Sequence, residues 1–69
     1  MTLKQLRESK GFSQTELAEQ VGLKQTTISQ YESGFRKPSL LIAKKLADVL
    51  EVSLDDFFYF AIFQNEITA

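Results

Sequence analysis

The stretch SQTELAEQVGLKQTTISQYESG, Ser13 to Gly34, decides the fold. Ser13 and Glu16 stand at capping-box spacing, where a hydroxyl and a carboxylate three residues apart each accept from the other's backbone N–H. Phe12, just ahead of the cap, is placed to face Leu17 as a hydrophobic staple. Leu17, Ala18 and Val21 continue an apolar helical face until Gly22 ends it. Only Leu23 and Lys24 then precede a second helical run, Gln25 to Ser33, closed by Gly34. Ala18 is small where the two helices cross, and Gly22 allows the positive φ of the turn. Leu17, Leu23, Ile28 and Tyr31 form the apolar wedge that sets the angle between them.

Two helices joined in this way form a helix-turn-helix motif. Outward from it, Leu3 and Leu6 mark a short helix with Thr2 as N-cap and a stop at Gly11. On the other side, Phe35-Arg36-Lys37-Pro38 reads as a loop and Ser39 as the cap of a fourth helix. That helix carries an apolar stripe of Leu40, Ala43, Leu46, Ala47 and Leu50. Ser53 and Asp56 signal a further helix start, and a last apolar segment begins at Leu54. The pattern predicts a single all-α domain over residues 1–69, of about five short helices, with the helix-turn-helix at 13–34.

Composition excludes several functions. The chain has 69 residues, 43% hydrophobic and 25% charged, the balance of a soluble globular protein. It lacks cysteine and histidine, which removes disulfides, zinc sites, thiol nucleophiles and imidazole bases together. No metal or other cofactor is expected. A chain so short struggles to enclose a substrate pocket of about 300–1,000 Å³, so no enzymatic activity is expected either. No apolar run approaches the roughly 20 residues of a membrane span, and Met1-Thr2-Leu3-Lys4 carries no signal-peptide pattern. A cytoplasmic location away from membranes is the expectation. At this size one core rarely supplies more than about 3–5 kcal/mol, so tight helix packing or a partner subunit is required.

The net charge of −1 conceals a division. Residues 1–45 hold all eight Lys and Arg against four acids, and residues 46–69 hold five acids and no base. The chain is therefore polarised, with a basic portion and an acidic end.

Gly11 to Gly34, read as G-F-S-Q-T-E-L-A-E-Q-V-G-L-K-Q-T-T-I-S-Q-Y-E-S-G, resembles the Cro/phage-repressor (XRE) family of helix-turn-helix regulators. A weaker continuation, P-S-L…L-A…L-E-V-S-L-D-D-F, extends the resemblance to Phe57. The resemblance implies a compact five-helix, lambda-repressor-like DNA-binding domain whose third helix enters the major groove of double-stranded DNA. It implies a sequence-specific transcriptional regulator, of a size that suits a repressor. On a helical wheel Ile28, Tyr31 and Glu32 share one side of that helix, and Thr26, Ser29, Gln30 and Ser33 face the other way. Base contacts are expected from Lys24, Gln25, Thr26, Ser29 and Gln30, the glutamines suiting adenine and the Thr26 methyl a thymine methyl. Phosphate contacts are expected from Gln14, Thr27, Ser33, Arg36 and Lys37. In the family, the residue matching Gln14 also braces the first Gln of the recognition helix, here Gln25.

Glu32 lies on the inward side, which is costly for a carboxylate without a partner. The resemblance sets an Arg of the first helix against it, and Arg7 matches. Family members usually carry Gly where Glu51 stands. Either Glu51 adopts a left-handed conformation, at a cost of about 1 kcal/mol, or the fourth helix runs on.

Leu41, Ile42 and Val49 fall off the stripe of the fourth helix, and the aromatics from Phe57 to Phe63 exceed what one small core can bury. A homodimer is expected through a segment at about 54–63, with Leu54, Phe58, Tyr59 and Ile62 at the interface and Ile42 or Val49 as candidate additions. The alternative is that these aromatics serve only to cover the core. Phe58 to Phe63 is compatible with a helix or with an intersubunit strand, and a helix is favoured. A second functional class is an antitoxin that binds a toxin through the aromatic C-terminus and autoregulates by DNA binding. RNA polymerase is a further candidate protein partner.

Overall fold

Ser, Thr or an extended cap residue opens each helix, and the spacing of apolar residues fixes which face turns inward. The computed structural model describes residues 2–58. They form α1 (Leu3–Ser9), α2 (Gln14–Val21), α3 (Gln25–Ser33), α4 (Leu40–Leu50) and α5 (Leu54–Phe57), with no strand among the described residues. Thr2, Ser13, Ser39 and Ser53 each accept a hydrogen bond from the backbone N–H three residues on. At Thr2 and Ser13 the bond is reciprocated, by the side chains of Gln5 and Glu16, closing two capping boxes. The Gln5 half of the first box is an addition to what the sequence predicts.

Three helix ends share one device. Gly11, Gly22 and Glu51 take positive φ, and the N–H of the next residue, Phe12, Leu23 or Val52, reaches back to a carbonyl five residues earlier. This is the Schellman closure, and Phe12, Leu23 and Val52 each pack against the core as its apolar component. Glu51 is thus left-handed, with φ 60° and ψ 41°, which settles the choice left open by the sequence. The end of α3 differs. Gly34 is left-handed, yet the following Phe35 turns outward with 81% of its surface exposed.

The core unites Leu3 and Leu6 of α1, Leu17, Ala18 and Val21 of α2, and Ile28 and Tyr31 of α3 with Ala43, Leu46, Ala47 and Leu50 of α4 and Phe57 of α5. Helix α2 lies against both α3 and α4, α1 touches α3, and α5 folds back on α4. One residue of the predicted α4 stripe does not join. Leu40, the first residue of the helix, is 65% exposed. Leu41 is equally exposed, whereas Ile42 and Val49, placed off the stripe, are half-buried against the core.

Candidate nucleic-acid interface

The three-residue link Gly22-Leu23-Lys24 holds α3 close against α2, so the exposed side of α3 is fixed by what its other side buries. Ile28 and Tyr31 point into the core. Gln25, Thr26 and Ser33 are exposed, and Thr27, Ser29 and Gln30 are half-buried. The exposed side therefore carries short polar groups and no bulky aliphatic residue. Lys24 occupies the N-cap position of α3, is exposed, and makes no side-chain capping bond. Arg36 and Lys37, both exposed, follow the other end of the helix. Cations thus bracket α3 at both ends. The Arg36 N–H donates to the Gln30 carbonyl at 3.2 Å and Ser33 Oγ donates to the same carbonyl at 3.1 Å, which folds the loop onto the last turn of α3.

From the core outward to this surface, four side chains are linked in series. Arg7 Nε lies 2.6 Å from Glu32 Oε2 and Arg7 Nη2 lies 3.2 Å from Glu32 Oε1, a bidentate pair with both side chains less than a tenth exposed. Arg7 Nη1 donates to the Phe12 carbonyl at 2.8 Å. The hydrogen bond to Glu32 raises the Arg7 pKa above its ordinary value, opposed by burial and aided by the charges of Glu32 and Glu8. Gln14 Nε2 donates to Glu32 Oε1 at 3.0 Å, and Gln25 Nε2 donates to Gln14 Oε1 at 2.6 Å. The Gln14–Glu32 bond is not legible in the sequence, since neither residue type nor spacing singles out a contact 18 positions apart. No buried side-chain nitrogen or oxygen among the described residues lacks a partner.

Of the remaining site residues, Leu54 and Phe58 are half-buried and pack against the core. The Phe58 ring meets that of Phe57 edge-on at 6.3 Å between centroids. Tyr59 and Ile62, and the choice between helix and strand beyond Phe58, lie outside the described residues. Sequence reasoning assigns no site role to Phe35, which together with Leu40 and Leu41 makes up the large exposed apolar side chains of the described residues.

A family model described as helix-turn-helix matches residues 3–57, nearly the whole of the described chain. The chain belongs to this helix-turn-helix family. It is a transcriptional regulator of the Cro/phage-repressor (XRE) type. The helix-turn-helix protein is 37% identical over 57 residues to the HTH-type transcriptional regulator YgzD of Bacillus subtilis, covering 83% of this chain and 86% of that one. It is also similar to SinR of Bacillus subtilis, solved as the master regulator for biofilm formation in complex with DNA. There the TM-score is 0.75 at 35% identity, over 81% of this chain and 90% of that chain. A third relative is the antitoxin HipB of Escherichia coli, 38% identical over 52 residues, which cover 75% of this chain and 55% of HipB. Among the described residues no helix is long and apolar enough to cross a membrane.

Proposed function

We propose that this helix-turn-helix protein binds a palindromic site on double-stranded DNA as a homodimer and regulates transcription by occupying it. The observation that carries the reading is the small polar face of α3, bracketed by Lys24, Arg36 and Lys37, with Gln25 held at its leading edge by Gln14. Short side chains let the helix sit deep in the major groove, where Gln25, Thr26, Ser29 and Gln30 reach base edges. Gln14, Thr27, Ser33, Arg36 and Lys37 contact phosphates and fix the register. Lys24, at the mouth of α3, reaches a base or the adjacent backbone. The Gln14 amide retains one N–H after its bond to Glu32, and that hydrogen suits a phosphate oxygen. Two copies joined through Leu54, Phe58, Tyr59 and Ile62 would set their α3 helices about 34 Å apart, one turn of DNA.

Selection of sites from random duplex DNA at stated salt tests the proposal. A palindromic consensus supports it, and retention of all sequences alike refutes it. Arg36→Ala is expected to weaken every sequence equally, while Gln25→Ala relaxes preference at one base pair per half-site. Equal losses on every duplex for both variants would refute this division of labour. Similarity to HipB favours a second reading, an antitoxin that also binds a toxin. Purification from its native host with an equimolar protein partner supports that reading, and a clean homodimer opposes it.

A further inference from the structure

We infer that Phe35 contacts DNA: its ring packs on a deoxyribose next to the phosphate that Arg36 meets, and ties the end of α3 to the duplex by an apolar contact. The inference rests on the proposed reading of α3 as the major-groove helix and adds to it a contact with the sugar.

A phenylalanine left in water forgoes the stabilisation that burial brings, and Phe35 is 81% exposed. The backbone around it holds it there. After the left-handed residue at three other helix ends, the next side chain, Phe12, Leu23 or Val52, packs against the core. After Gly34 the chain is tied elsewhere. The Phe35 N–H donates to Ser33 Oγ at 3.4 Å, and the Arg36 N–H donates to the Gln30 carbonyl at 3.2 Å. Ser33 and Gln30 lie on the side of α3 that carries Thr26 and Ser29, away from buried Ile28 and Tyr31. Phe35 therefore leaves the chain at the edge of the surface proposed to meet DNA.

The charges around the ring select its partner. Between Gly34 and Ala47 the chain carries Arg36, Lys37, Lys44 and Lys45 and no acid. An apolar side chain bordered only by cations suits a partner that is anionic yet offers uncharged surface between its charges. The backbone of a duplex is such a partner, since a sugar with nonpolar C–H groups separates successive phosphates. A second copy of this chain fits less well. Leu40 and Leu41, the other large exposed apolar side chains of the described residues, stand in the same cationic stretch, so two copies meeting there would oppose like charges.

The test compares Phe35→Ala, Phe35→Leu and Arg36→Ala in the full chain, measuring affinity for selected and unselected duplexes over a series of salt concentrations. Phe35→Ala is expected to weaken binding about tenfold on every duplex alike, because each nucleotide carries the same sugar. Its slope of log affinity against log salt is expected to keep the wild-type value, since an apolar contact displaces no counter-ion, whereas Arg36→Ala lowers that slope. Phe35→Leu is expected to retain most of the affinity, and Phe35→Ala to make the heat-capacity change of binding less negative. The urea midpoint of Phe35→Ala is expected to match that of the wild type, because the ring contributes little to the core. In the complex, Phe35 ring protons are expected to show NOEs to deoxyribose protons. Unchanged affinity in Phe35→Ala overturns the inference. So does a loss accompanied by a shallower salt slope, which would mean that the ring acts through Arg36. A smaller sedimenting mass of the free variant would assign Phe35 to a contact between copies and overturns it too. Each of these leaves the reading of α3 intact. A wild-type protein that binds no duplex overturns that reading and this inference with it.

Discussion

Arg7 and Glu32 are both largely withdrawn from water, so each depends on the other to offset its desolvation. Glu32→Ala leaves a buried guanidinium without its counter-charge, and the expected loss of stability is about 3 kcal/mol by urea unfolding. A loss under about 0.5 kcal/mol would place the pair among ordinary surface contacts. Glu51 makes the opposite case. It holds φ 60° where no Cβ is favoured, and its contact with Lys10 at 3.5 Å is exposed. Glu51→Gly is expected to raise stability by about 0.5–1 kcal/mol, after allowance for the freer unfolded chain. A lower melting temperature would show that the Lys10 contact outweighs the backbone strain. Both residues stand out in the sequence, Glu32 as a charge on an apolar face and Glu51 by its resemblance to a family that usually carries Gly at that position. The link from Glu32 to Gln14 does not, since it depends on how α2 and α3 meet and not on any local pattern.

At the level of the element, caps and turn residues make the helix boundaries legible, because each boundary has a local steric or hydrogen-bonding cause. The capping box at Ser13 leaves a titratable mark. The Ser13 N–H, and secondarily its hydroxyl, stabilise ionised Glu16 and hold its pKa below the usual carboxylate value. A pKa depressed in the folded state means stabilisation that is fully present above about pH 4.3 and is lost as pH falls through the folded value. An NMR titration of the Glu16 carboxyl is expected to show this depression, and Glu16→Gln to remove that part of the acid dependence. The misplacement of Leu40 has a tertiary cause. Periodicity assigns a residue to a face but does not say whether another element reaches as far as that turn. Leu40→Ser is accordingly expected to change stability by less than about 0.5 kcal/mol, and a larger loss would place Leu40 in a contact outside residues 2–58.

The molecule as a whole divides its charge, with every Lys and Arg within the first 45 residues and an acidic remainder. On the proposed function the basic portion faces DNA, so log affinity is expected to fall linearly with log salt, and Arg36→Ala to reduce that slope by about one. A slope unchanged by the substitution would move Arg36 off the phosphate backbone. Sedimentation equilibrium is expected to find a dimer that Leu54→Glu dissociates; a wild-type monomer throughout the concentrations that bind DNA would refute the proposed pairing. Helix order and the buried set are open to sequence reasoning because they follow from local signals summed along the chain. Association is not, because an apolar aromatic can close its own core or meet another subunit, and Phe57 and Phe58 already show the first of these uses.

The guanidinium that anchors the series of side chains ending at Gln25 belongs to α1, outside the two-helix motif. A chimaera that transplants only residues 13–34 onto a foreign scaffold would carry over every group placed to touch bases, yet forfeit the counter-ion behind them. Such a graft strands the Glu32 carboxylate without its partner, and it is expected to be less stable than one that begins at α1.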